Sequence, residues 1–65
     1  MRYDKFKKLK TDKKNPKPCV IIQTGELGYI LTIDFAQDKI LVKAKRCGHV
    51  GYQEQWFNYV EIETW

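Results

Sequence analysis

The sequence predicts a small all-β domain of about five short strands behind a basic N-terminal arm. Three observations carry this. Between Leu27 and Arg46, apolar residues recur with a period of two, interrupted by one short polar turn, as an antiparallel hairpin requires. The run "NPKP", Asn15 to Pro18, ends any helix, because proline fixes its own φ and pushes its predecessor out of the helical region. Finally, the 43% hydrophobic content with nine aromatics in 65 residues supplies a core and excludes disorder of the whole chain.

The elements follow in order. Tyr3, Phe6 and Leu9 recur every third residue, which would line one stripe of a helix of about three turns. An extended arm is the competing reading, since three anchors make a thin stripe. Residues 1–18 form the arm and residues 19–65 the body. "CVIIQ", Cys19 to Gln23, is β-branched and short, a strand. "TGELG", Thr24 to Gly28, is a glycine turn. Leu27, Tyr29, Leu31, Ile33 and Phe35 then share one face of a long strand and are expected in the core. After the turn "AQDK", Ile40, Val42 and Ala44 share the inward face of the next strand, with Leu41, Lys43 and Lys45 opposite. Cys47 to Gln55 reads as a loop, with a short strand pair across it as the alternative. Trp56, Tyr59 and Val60 are spaced like one helical turn, and Val60 to Thr64 like a last strand, which a 3₁₀ turn before a short strand accommodates. Trp56 or Phe57 is expected to plug one end of the core.

"GELGYILTI", "DKILVKA" and "WFNYVEIE" together resemble an SH3-like barrel of the short, KOW-related kind. The resemblance covers the body and none of the arm, and it is one of fold, not of a particular family. It implies five short strands with a 3₁₀ turn before the last. Such barrels host many activities, so it assigns none. The aromatic signals of proline-peptide-binding SH3 domains are not recognisable.

Charge is distributed unevenly. Residues 1–18 carry eight basic and two acidic side chains, a net of +6, and residues 19–65 carry four and six, a net of −2. A basic arm on a mildly acidic body points to a polyanionic partner. No stretch approaches the ~20 apolar residues of a membrane-spanning helix, and no secretory leader is evident. The expected compartment is the cytoplasm. Two cysteines, Cys19 and Cys47, fit reduced, partly buried thiols better than a disulfide framework, with a single Cys19–Cys47 disulfide as the alternative.

Catalysis has little to draw on. Serine is absent and His49 is the single histidine. Cys47 and His49 stand two apart, but a body this small leaves little room for a substrate cleft. A metal centre on Cys19, Cys47 and His49 would lack the second close ligand pair of structural zinc. Neither a catalytic site, a metal nor a cofactor is expected.

The leading functional expectation is a binding module for nucleic acid, DNA or RNA. Lys5, Lys7, Lys8, Lys10, Lys13, Lys14 and Lys17 would contact phosphates, and Lys43, Lys45 and Arg46 would extend the track. Tyr3 or Tyr52 could stack on bases. Low sequence specificity is expected. A lysine-rich segment is also what a merely solubilising tail looks like. The alternative is a protein-binding regulator or inhibitor docking on a larger host protein through exposed Tyr52, Tyr59 and Trp65. In size and style this is similar to accessory proteins of bacteriophages. A homodimer through the same aromatics is a third reading.

Overall fold

A computed structural model describes residues 1–12, 14–45 and 51–64. The order is helix α1 (Tyr3–Lys7), strands β1 (Lys17–Ile21), β2 (Leu27–Asp34), β3 (Lys39–Lys45) and β4 (Tyr52–Asn58), a 3₁₀ turn (Tyr59–Glu61) and strand β5 (Ile62–Glu63). The strands form one antiparallel sheet in the order β4-β3-β2-β1-β5. The domain is predominantly β, as expected.

The core lies on one face of this sheet. β3 contributes Ile40, Val42 and Ala44, β1 contributes Cys19 and Ile21, and β5 contributes Ile62. The inward face read for β3 is the observed one. That read for β2 is not. Ile30 pairs with Val42 but Thr32 pairs with Leu41, so Leu31 is an extra residue in a β-bulge. One extra residue reverses which side the alternation faces. Gly28 and Ile30 point inward before the bulge, Ile33 packs on the core after it, and Leu27 and Tyr29 are exposed. Gly28 explains the phase: a Cβ there would lie 2.9 Å from both the Lys43 carbonyl oxygen and Val42 Cγ1. Only glycine allows β2 and β3 to meet this closely. Phe35 is likewise not core. It sits half exposed in the turn after β2, with its ring 5.2 Å from that of Phe6.

The β2–β3 turn is held by Asp34, whose Oδ1 accepts from the Ala36 and Gln37 amides at 3.0 and 3.2 Å. Asp38 takes a left-handed conformation, φ 57°, and its carbonyl accepts from the Tyr59 amide.

Tyr52 to Asn58 is strand, not loop and helical turn. β4 pairs with β3 along its whole length, Lys45 opposite Tyr52 through Lys39 opposite Asn58. Strand alternation separates the adjacent aromatics: Phe57, opposite buried Ile40, packs on the core, and Trp56, opposite Leu41, is exposed. The 3₁₀ turn follows under a reciprocal cap. Asn58 Oδ1 accepts from the Val60 amide, and Glu61 Oε2 accepts from the Asn58 amide.

The N-terminal segment folds onto the body. α1 has five residues, about one and a half turns rather than three. Phe6 is 1% exposed, and Met1 and Leu9 join it in the core. The Phe6 ring stacks on Tyr59 with centroids 4.9 Å apart.

Candidate nucleic-acid interface

The face opposite the core carries the chemistry. Because strands expose alternate residues, one row across it reads Pro18, Tyr29, Lys43, Glu54. A second reads Thr32, Leu41, Trp56. Tyr29, Tyr52 and Trp56 are each about half exposed there. Pro16, Tyr29, Leu31, Lys43 and Tyr52 line a groove of about 390 Å³. The Lys43 ammonium lies 5.1 Å from the centre of the Tyr52 ring, which holds a cation beside an open aromatic surface.

A second concavity, lined by Lys10, Thr11, Asp12, Lys14, Asn15, Lys17 and Pro18, shares Pro16 with this groove. The lysine-rich segment and the aromatic face are therefore continuous. At the other end of the face, Asp34, Gln37, Lys39 and Trp56 line a hollow of about 370 Å³.

The expected site residues divide among several places. Lys10, Lys14 and Lys17 line the basic concavity, Lys43 lines the groove, and Lys8 is exposed. Lys5 is engaged within the fold, donating to Glu63 Oε1 at 2.7 Å and to the Thr64 carbonyl at 2.6 Å. Lys7 lies over the Tyr3 ring at 5.1 Å. Lys45 lies in β3 opposite Tyr52. Of the three aromatics expected to meet a partner, Tyr52 is on the outer face, and Tyr59 is half-buried between Tyr3 and Phe6. Lys13, Arg46 and Trp65, and with them Cys47 and His49, lie outside the described residues. Tyr29 and Trp56, which sequence reasoning assigned to the core or left undecided, prove to be the open aromatics. The bulge at Leu31 leaves no mark in the alternation, but the adjacency of Trp56 and Phe57 did signal that one must face outward.

Among the described residues, two ionisable groups are displaced. The hydrogen bond from Lys5, seconded by the Thr64 amide, lowers the Glu63 carboxyl to about 2. Burial raises the Cys19 thiol to about 11, so it stays protonated and unreactive. Among the described residues, no three His, Cys, Asp or Glu side chains gather as a metal site, and no helix is long and apolar enough to cross a membrane.

Comparison with protein-family models, with curated proteins and with solved structures gives no match for this chain.

Proposed function

We propose that the chain is a small non-catalytic binding module that holds single-stranded nucleic acid, DNA or RNA, on its outer sheet face. One observation carries this reading: the lysine-lined concavity and the Tyr29–Lys43–Tyr52 groove meet at Pro16. Phosphates would run along Lys10, Lys14, Lys17 and Lys43, and bases would stack on Tyr29 and Tyr52. Such a face favours single strands, because paired bases offer no open ring to a tyrosine. The strand order, with its 3₁₀ turn before the last strand, supports the SH3-like reading of the fold. The compartment this reading assumes is the reducing cytoplasm.

Anisotropy of labelled DNA and RNA oligonucleotides tests the proposal. Tyr29→Ala and Tyr52→Ala should each weaken binding by about 1–3 kcal/mol, the worth of one stacked base. Undetectable binding of both polymers at low salt would sink it.

The second reading, docking on a larger protein, is favoured by the large apolar residues gathered on the outer face, Leu27, Tyr29, Tyr52 and Trp56, each at least 44% exposed. A pull-down before and after nuclease treatment separates the two: a single protein retained after nuclease supports docking.

A further inference from the structure

Asp34, Gln37, Lys39 and Trp56 surround one hollow, away from the tyrosine groove. We infer that this hollow is a base-reading subsite that selects guanine in a single strand lying on the outer face. The inference rests on the nucleic-acid reading and adds a specificity to it.

The geometry supplies a stacking surface, one fixed carboxylate and one ammonium. Trp56 stands opposite Leu41 with its indole open on the outer face, and Lys39 stands opposite both Asp34 and Asn58. The Asp34 carboxylate is held in place, because its Oδ1 already accepts from two backbone amides of the turn. Its Oδ2 has no hydrogen bond among the described residues. The hollow therefore offers an oriented acceptor, an ammonium donor and the Gln37 amide beside one aromatic plane. At about 370 Å³ it is within the range of small-ligand sites.

The four bases differ in how they meet this set. Guanine presents two adjacent donors, N1–H and N2–H₂, next to the acceptor O6. The donors suit Asp34, and O6 suits Lys39 or the Gln37 amide. Adenine and cytosine place a ring-nitrogen acceptor beside their single amino group, which a carboxylate repels. Thymine and uracil offer one N–H between two carbonyls. Guanine also has a large surface to stack on an indole.

The test is competition against a labelled oligonucleotide on the wild-type protein. Competitors are oligothymidylates of one length, unmodified or carrying one central dG, dA or dC. The dG strand should compete about tenfold better than the others. Asp34→Asn should abolish that preference, read as the ratio of dG to unmodified competition within the variant so that any general change in affinity cancels; asparagine keeps the Oδ1 acceptor that holds the turn. Trp56→Phe, which retains a ring, should reduce the preference without abolishing it. Equal competition by all four strands, with binding intact, would overturn the guanine subsite and leave the proposed function standing. Failure of every strand to bind would overturn both. Free GMP displacing the label as well as the dG strand does would overturn the placement of the site on a bound strand.

Discussion

Glu63 joins the two ends of the described chain. It receives the Lys5 ammonium at 2.7 Å and lies 3.6 Å from the amino group of Met1. Its carboxyl is held at about 2, below the ordinary 4.5, so its contribution is complete above about pH 4.5 and is lost as the pH falls toward 2. The group is partly exposed and screened by water, so the contribution is limited to about 1 kcal/mol. Urea denaturation should show wild-type stability falling toward that of Glu63→Gln across this window. A constant gap between the two would contradict the assignment. Gly28 makes a different demand. Gly28→Ala forces a methyl into the β2–β3 contact and should cost about 1–3 kcal/mol by the same measurement. Cys19, buried with a raised pKa, should react with a thiol reagent no faster than the protein unfolds; in a Cys47→Ser background its modification rate should rise only with denaturant.

At the scale of elements, the helix decides most. Phe6 fills the space between Phe35 and Tyr59, and its removal leaves a cavity bounded by two rings. Phe6→Ala should therefore cost about 3–5 kcal/mol, enough to unfold most of a chain this small at room temperature. Circular dichroism melts would show it, and an unchanged melt would mean that α1 is not docked. The sequence was uneven as a guide here. The β2–β3 hairpin, the inward set Ile40, Val42 and Ala44, and the 3₁₀ turn before the last strand were legible, because alternation and turn chemistry are local. The phase of β2 was not, because the bulge at Leu31 is a property of pairing with β3, and alternation read alone put Tyr29 inside. Nor was the docking of α1 legible. Its stripe of Tyr3, Phe6 and Leu9 says that a surface is wanted without saying which. The aromatic groove was hidden for the same reason as the phase of β2, since it needs Tyr29 outside.

At the scale of the whole molecule, Lys10, Lys14 and Lys17 adjoin Lys43 near one end of the outer face through the shared Pro16. If phosphates run there, each of these lysines replaced by alanine should lower the salt dependence of binding by about one ion and weaken all sequences alike. Lys5→Ala should leave that slope unchanged, since Lys5 is spent on Glu63 and Thr64. That same contact has a consequence in time. It links residues 58 apart in sequence, so making it closes a loop of nearly the whole chain. Loops of that span are expected to close after the hairpins have formed, which would put the contact on the late side of the folding barrier and make it a latch on opening. Stopped-flow traces of Lys5→Ala should show unfolding accelerated severalfold and refolding as fast as in the wild type, whereas slowed refolding would place the latch in the folding nucleus.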